Sequence, residues 1–136
     1  MRENGYNTNL AAEYHVLAVL YRLGLNAYLT LGNKKAIDIV IDFDDHICTV
    51  DVKGIAGTTL WPLDNFVGSK GNHFIILVSF LNKIKDVSVT PECYVVPSIE
   101  VENLMYRNPK KTRQGIQLST IRKAAPSFLD KWELIK

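Results

Sequence analysis

The chain has few cysteines and no long apolar run, and both shortages limit the kind of protein it can be. Its 136 residues contain two cysteines, Cys48 and Cys93, which form no CxxC pair. We therefore expect neither a disulfide framework nor a cysteine-based zinc site, and Cys48, alternating with Val50 and Val52, is predicted to pack in a core. No stretch approaches the roughly 20 apolar residues that span a bilayer, and the amino terminus lacks an apolar signal region, so we expect a cytoplasmic protein without membrane contact.

An excess of charge of one sign is also missing. The formal net charge is only +2, so contact with nucleic acid would have to come from local basic patches. The three histidines lack the spacing of a zinc site, and no glycine-rich phosphate loop is present. The length and an apolar content of 47% fit a single domain with one core over residues 1–136.

The periodicity of apolar residues predicts one long helix followed by a sheet. The helix begins between Asn7 and Asn9, runs through Leu23 and stops at Gly24, with Glu13 on the flank of its apolar stripe. That stripe is predicted to face the sheet and consists of Leu10, Tyr14, Leu17, Leu20, Tyr21 and Leu23. Strands are predicted over 26–31, 35–43, 47–54, 73–81 and 92–97. Short connections between the first three indicate an antiparallel meander, and continuous hydrophobicity places the fourth inside the sheet.

Charged residues interrupt the apolar second and third strands. Asp51 and Lys53 project from one face of the third strand, while Val50 and Val52 project from the other. If the second strand pairs antiparallel with the third, Asp38 joins them, and two carboxylates can then share a hard cation beside a lysine. The alternative is a solvated edge strand with a surface ion pair, which would contribute only ~0–1 kcal/mol.

This arrangement resembles the PD-(D/E)xK nuclease superfamily, which has the restriction-endonuclease-like fold. The resemblance is carried by Glu13 on the first helix, by Ile37–Asp38 in place of the PD element, and by Asp51–Lys53 as the (D/E)xK element. The resemblance covers residues 10–54 well and the later strands more loosely. Members of the superfamily include small bacterial proteins and Holliday-junction resolvases. The departures are isoleucine in place of the proline and aspartate in place of the commoner glutamate, and neither removes a metal ligand.

The resemblance implies both a fold and a mechanism. The fold would be α/β, with an α-β-β-β-(α)-β core and a central mixed sheet flanked by helices. The activity would be metal-dependent endonucleolytic hydrolysis of DNA, in which Asp38, Asp51 and the Val52 carbonyl hold one or two Mg²⁺ or Mn²⁺ ions. Lys53 would orient or deprotonate the attacking water, and Glu13 would hold a metal-bound water or a second ion. A homodimer would allow both strands of a duplex to be cut.

Several residues outside this motif are candidates for contact with nucleic acid. We predict phosphate contacts from Lys70 and from the basic segment 107–115, which is alternatively a solvated loop. The basic residues in that segment are Arg107, Lys110, Lys111 and Arg113. Trp61, in the long segment 55–72, could stack on a base or anchor the loop to the sheet. Ser98 is predicted to cap a short helix, and Ser127 a closing helix.

Two other functions stay open beside the endonuclease. The first is a nuclease-fold protein that binds nucleic acid without cutting it, which would agree with the modest net charge. The second is a protein-interaction module, such as an immunity or antitoxin partner or a subunit of a larger nuclease. Divalent-ion stabilisation that depends on Asp51 would favour the endonuclease, and salt-dependent DNA binding without metal would favour the silent protein.

Overall fold

A computed structural model of the chain describes residues 5–31 and 37–136. The first helix, α1, spans Gly5–Arg22. It stops where predicted, because Gly24 takes a φ of 79°, a left-handed conformation that glycine adopts without steric cost. The predicted turn over residues 32–35 lies outside the described residues.

The buried stripe of α1 differs from the predicted one. Tyr14 and Tyr21 are exposed, whereas Glu13 is buried. The other buried residues of the helix are Thr8, Ala12, Val16 and Leu20. This face carries smaller side chains, which let the helix approach the sheet closely, while the tyrosine hydroxyls on the other stripe stay in contact with water. Two apolar stripes share α1, and hydrophobicity alone did not distinguish them.

The strands form two sheets. Their bounds are β1 Asn26–Leu29, β2 Ile39–Asp42, β3 Ile47–Ile55, β4 Leu60–Pro62, β5 His73–Ser79, β6 Glu92–Pro97, β7 Tyr106–Arg107 and β8 Gln114–Gln117. The central sheet has the order β1-β2-β3-β5-β6. β1, β2 and β3 form the predicted antiparallel meander, β5 lies parallel to β3, and β6 pairs antiparallel with β5. The predicted α/β class, with a central mixed sheet flanked by helices, is therefore confirmed.

Two apolar clusters cover the two faces of this sheet. One lies between the sheet and α1 and contains Val50, Val52 and Ile76. The other lies on the opposite face, under three short helices, and contains Ile75 and Leu77. These helices are α2 Val101–Leu104, α3 Leu118–Lys123 and α4 Ala125–Phe128. Every residue of β5 is buried, as predicted for an interior strand.

The cysteines belong to the core as expected. Cys48 and Cys93 are both buried and free of disulfides. Burial raises the pKa of the Cys93 thiol to about 12, so this side chain stays protonated and behaves as a small apolar group. Across the described parts of the chain, no helix combines the length and the apolar character needed to cross a bilayer.

The second sheet is the largest departure from the sequence-based expectation. It has the order β4-β8-β7 and is built from two segments predicted to be loops. Each of its strands has only two to four residues, too few for a pattern of alternating hydrophobicity to show. The expected core order, α-β-β-β-(α)-β, has a helix between the third and fourth strands. Residues 56–72, which connect β3 to β5, contain β4 and turns in its place.

The two predicted helix caps are wrong. The 3₁₀ turn Ser98–Glu100 has no side-chain cap, and the Ser98 hydroxyl instead binds the main chain of Lys70. Ser127 lies inside α4, and a second 3₁₀ turn, Trp132–Leu134, follows without a side-chain cap. A serine hydroxyl can accept a hydrogen bond from a main-chain N–H and donate one to a main-chain carbonyl, so a capping pattern in sequence does not identify the partner.

Candidate functional site

The predicted site is centred on β3, whose two faces have different characters. Val50 and Val52 are buried against α1, while Asp51 and Lys53 project from the opposite face and are only partly buried. The parallel register places Asp51 beside Ile75 and Lys53 beside Leu77 of β5. Two charged side chains therefore lie next to the apolar cluster on that face, at an interior strand of the sheet.

Asp38 joins them at the entry to β2. Its N–H donates to the Val50 carbonyl at 3.1 Å, and its own carbonyl accepts a hydrogen bond from the N–H of Thr30 at 2.9 Å. Its side-chain Oδ2 accepts a hydrogen bond from the N–H of Val52 at 2.7 Å, a length typical of a charge-assisted bond. The Asp38 carboxylate is thus bound to the main chain of β3 at the residue between Asp51 and Lys53.

Two adjoining cavities surround these side chains. The larger, about 550 Å³, is lined by Glu13, Asp38, Val52 and Lys53 among others. The smaller, about 420 Å³, is lined by Asp38, Asp51 and Lys53, and also by Lys70. Asp38 and Lys53 line both of these cavities, whereas Glu13 lines the larger one and Asp51 the smaller one.

Glu13 reaches the larger cavity because α1 crosses β3 at very short range. A Cβ atom at Gly54 would lie only 2.7 Å from the Cβ of Ala12 and 3.2 Å from the carbonyl oxygen of Thr8. Glycine at this position therefore permits the close approach. Glu13 follows Ala12 directly in the helix, is only 6% exposed, and lies at the wall of the larger cavity.

One residue near Asp51 was not nominated from the sequence. His73, at the start of β5, is buried and lies within hydrogen-bond distance of Asp51, with 3.2 Å between its Nε2 and Asp51 Oδ2. Its Nδ1 lies 2.6 Å from Thr49 Oγ1. The parallel pairing of β3 and β5 aligns Thr49 with His73 across 24 residues of sequence. No local sequence signal could have found this contact, because it depends on strand register.

The carboxylates of the site are oxygen donors of the kind that a hard cation takes. Asp38 and Asp51 supply carboxylate oxygens, which Mg²⁺ prefers, and Mg²⁺ commonly binds through one or two carboxylates while keeping several waters. Within residues 5–31 and 37–136, no group of three or more histidine, cysteine, aspartate or glutamate side chains is arranged to hold a metal ion. A cation held by Asp38 and Asp51 would therefore keep several waters in its shell.

The predicted nucleic-acid contacts lie in two places. Lys70 is exposed beside Asp51 at the smaller cavity, and the bonds of its main chain to Ser98 hold it there. Lys110 and Lys111 are exposed in the connection between β7 and β8. This connection is closed by the Asn108 side chain, which accepts hydrogen bonds from the main-chain N–H groups that follow Lys111.

Arg113 is engaged within the protein. Its Nη2 lies 2.9 Å from Oδ2 of Asp64, a residue at the wall of the smaller cavity. This hydrogen-bonded guanidinium, with the Gln114 N–H second, lowers the pKa of Asp64 from its ordinary value. Because the Arg113 side chain is still 69% exposed, it has room to meet a phosphate as well.

Trp61 serves as a loop anchor. It is fully buried, and its indole N–H donates to the Val78 carbonyl at 2.9 Å. Its ring also makes an edge contact with Tyr94, with 6.0 Å between the ring centroids. Of the two interpretations of Trp61, stacking on a base is therefore wrong, because the ring has no free face.

Comparison with known proteins returned no match: no family model, no curated protein and no solved structure matches this chain. The functional argument accordingly depends on the site itself.

Proposed function

We propose that this chain is a metal-dependent phosphodiesterase that cuts DNA, a member of the PD-(D/E)xK type with a restriction-endonuclease-like core. The observation that carries the proposal is the smaller cavity, which Asp38, Asp51 and Lys53 line together, with Glu13 at the adjoining larger one. Two carboxylates and a lysine at one cavity, with a third carboxylate at the next, match the chemistry of phosphodiester hydrolysis, which needs a held cation and a nearby positive charge.

The strand connections support the proposal. The superfamily resemblance implies a helix, three strands, a further helix and a fourth strand, with a central mixed sheet. In this chain α1 precedes the antiparallel meander of β1 to β3, and β5 lies beside β3 in parallel, while residues 56–72 contain β4 and turns in place of the further helix. Asp38 lies just before β2, and Asp51 and Lys53 lie on β3.

In the proposed mechanism, each of the chain's own residues has a separate role. Asp38 and Asp51, with the Val52 carbonyl, would hold the cation, and the Val52 N–H keeps the Asp38 carboxylate in place. Mg²⁺, when bound, would offset negative charge on a phosphate oxygen and make a water more acidic. Lys53 orients the attacking water and stabilises the negative charge that develops on the phosphate oxygens. Glu13, on the α1 side, holds a further water by hydrogen bonding.

A basic edge near the cavity would hold the DNA backbone. Lys70 lies at the cavity, and the hairpin of β7 and β8 is fastened to the cavity wall because the N–H of Leu63 donates to the carbonyl of Gln114 at 3.0 Å. Lys110, Lys111 and Arg113 belong to that hairpin region. We propose that these four cations contact phosphates, which would make binding depend strongly on salt.

The deciding experiment is cleavage of plasmid, linear and branched DNA in Mg²⁺ or Mn²⁺. Lys53→Met keeps most of the apolar stem and removes the ammonium, and we expect it to lower the cleavage rate by about 10²–10⁴-fold, as for loss of a group that handles a proton in the reaction. Lys85→Ala, at an exposed turn outside the cavity walls, is the matched control and should cut like the wild type. Equal cleavage by the wild type and by both Lys53→Met and Asp51→Asn would disprove the assignment.

A second candidate function has one observation in its favour. Because the described residues contain no group of three metal-binding side chains, the site is less rich in ligands than a strong metal centre. A protein of the same fold could then bind DNA through its basic hairpin without cutting it. Salt-dependent DNA binding that is unchanged by chelator and by Asp51→Asn would support this candidate over the endonuclease.

A further inference from the structure

His73 has a position that the proposed mechanism does not use. It is the polar first residue of β5, a strand whose next five residues are all apolar. Its side chain is only 4% exposed and is surrounded by the sheet and the adjacent loop. A buried imidazole needs hydrogen-bond partners for both ring nitrogens, since an unpaired buried polar group costs about 1–3 kcal/mol.

Thr49 and Asp51 supply those two partners. Both belong to β3, two residues apart, so they project from the same face of that strand. An ionised carboxylate can only accept hydrogen bonds, which requires His73 Nε2 to carry a proton and donate to Asp51. In the neutral ring the Thr49 hydroxyl then donates to Nδ1. The three side chains form a connected line in which Thr49 orients the imidazole and the imidazole orients the carboxylate.

The contact restrains the carboxylate without consuming its capacity to bind. A carboxylate has two oxygens and about four acceptor positions, and His73 occupies one of them on Oδ2. The remaining positions can bind a cation. Carboxylates that ligate metals are commonly held in this way by a neighbouring hydrogen-bond donor, and loss of the donor weakens metal affinity.

We propose that His73 is a positioning residue that holds the Asp51 carboxylate in the orientation needed to bind a divalent cation, with Thr49 setting the orientation of the ring. This inference rests on the proposed function, because it assigns His73 a role toward the cation that Asp51 would hold. It adds to the site a residue that does not itself touch the substrate.

Calorimetric titration of the full chain with Mn²⁺, without DNA, tests the inference. His73→Leu removes the donor, and we expect it to raise the Kd for Mn²⁺ by about 10–100-fold. His73→Gln places a side-chain amide N–H near the position of Nε2 and should restore most of the affinity. Thr49→Val keeps the shape of the β3 side chain but removes the hydroxyl that holds the imidazole ring of His73. The Kd of this variant for Mn²⁺ should lie between those of the wild type and His73→Leu.

The unfolding temperature of each metal-free variant, measured in parallel, separates positioning from a general structural role. If His73 had only a structural role, His73→Leu and His73→Gln would lower the unfolding temperature equally. The Kd for Mn²⁺ would then be unchanged in the folded fraction of each variant. Suppose that the wild type binds Mn²⁺ and that Asp51→Asn abolishes this binding. An unchanged Kd in folded His73→Leu, or in folded Thr49→Val, would then overturn the inference and leave the proposed function standing. Absence of Asp51-dependent binding in the wild type would overturn both.

Discussion

The two faces of the central sheet differ in what they contain, although the same strands build both. On the α1 side, β3 and β5 contribute Val50, Val52 and Ile76 to an apolar cluster. On the other side, the same two strands contribute Asp51 and Lys53 next to Ile75 and Leu77, beside a polar cavity. On the α1 face, the side chains of β3 and β5 are thus apolar and buried, whereas on the other face β3 places two charged side chains beside a cavity.

This difference shows how a small domain separates stability from chemistry. Side chains alternate along a strand, so one strand can bury every second residue and present the others to a cavity. The apolar face holds β3 rigidly, and the charged face uses that rigidity to keep its side chains in fixed positions. The comparison predicts that substitutions on the two faces affect different measured quantities.

The largest expected effect on stability comes from the α1 face. Ile76 is fully buried, and Ile76→Ala should lower the free energy of unfolding by about 2–5 kcal/mol, because it removes buried apolar surface and leaves a cavity. Lys53→Met on the other face should change it by less than about 0.5 kcal/mol. Urea denaturation of both variants measures the contrast, and equal losses would contradict the division between the faces.

The next effect concerns the contact that brings α1 to the sheet. Gly54→Ala should cost about 1–3 kcal/mol of stability, since the added methyl group would overlap Ala12 and approach the carbonyl of Thr8. It should also reduce cleavage, because α1 carries Glu13. Gly71→Ala, where an added Cβ meets nothing within 4 Å, is the control. Urea denaturation and cleavage rates together check both parts, and an unchanged Gly54→Ala would show that α1 can shift freely.

A smaller effect is expected where the second sheet is anchored to the first. Trp61→Phe keeps an aromatic ring but removes the indole N–H that donates to the Val78 carbonyl. We expect a loss of about 1 kcal/mol or somewhat more, because a buried carbonyl is left without its partner. Thermal unfolding measures the loss. Stability equal to the wild type would mean that water replaces the indole N–H.

The smallest effect is electrostatic and lies at the rim of the polar cavity. Arg113→Ala should raise the pKa of Asp64 toward its ordinary value, because the guanidinium is the main cause of the lowered value. A lowered folded pKa stabilises the protein above the unfolded value, about 3.9 for aspartate, and this contribution is lost as pH falls through the folded pKa. The variant should therefore be less stable than the wild type above about pH 4, and the difference should vanish in stronger acid.

Carboxyl NMR titration of Asp64 reads this pKa directly. Arg107→Ala, which removes a different surface ion pair, with Glu102, serves as the control and should leave Asp64 unaffected. If the pKa of Asp64 stayed low in Arg113→Ala, the Gln114 N–H would be its main cause instead.

Local pattern was sufficient for the first part of the fold. The stop of α1 at Gly24, the meander of β1 to β3 and the buried strand β5 all follow from glycine conformation, short connections and runs of apolar residues. The same pattern predicted the stripe of α1 only in part: Leu20 is buried, whereas Tyr14 and Tyr21, which the pattern counted as apolar, are exposed. The close approach of Ala12 to Gly54 distinguishes the two stripes, and that contact joins residues more than forty positions apart.

Part of the candidate site was also visible in sequence. The alternation of Asp51 and Lys53 with valines predicted that both would share a face, and the short turn before β3 predicted that Asp38 would lie nearby. The contact of His73 with Asp51 could not be predicted, because it depends on the parallel register of β3 and β5. The second sheet was missed for a similar reason, since its short strands are defined by pairing and not by their own pattern.

The sequence by itself determined which residues alternate on each strand, where the first helix stops and which charged side chains interrupt apolar strands. These properties depend on neighbours within a few positions, where backbone geometry fixes which side chains share a face. Only the tertiary structure decided which face of α1 is buried, how β5 aligns with β3, and that Glu13, Asp38, Asp51 and Lys53 line two adjoining cavities. These outcomes depend on packing between distant segments, which must satisfy shape and hydrogen bonding across the whole domain at once.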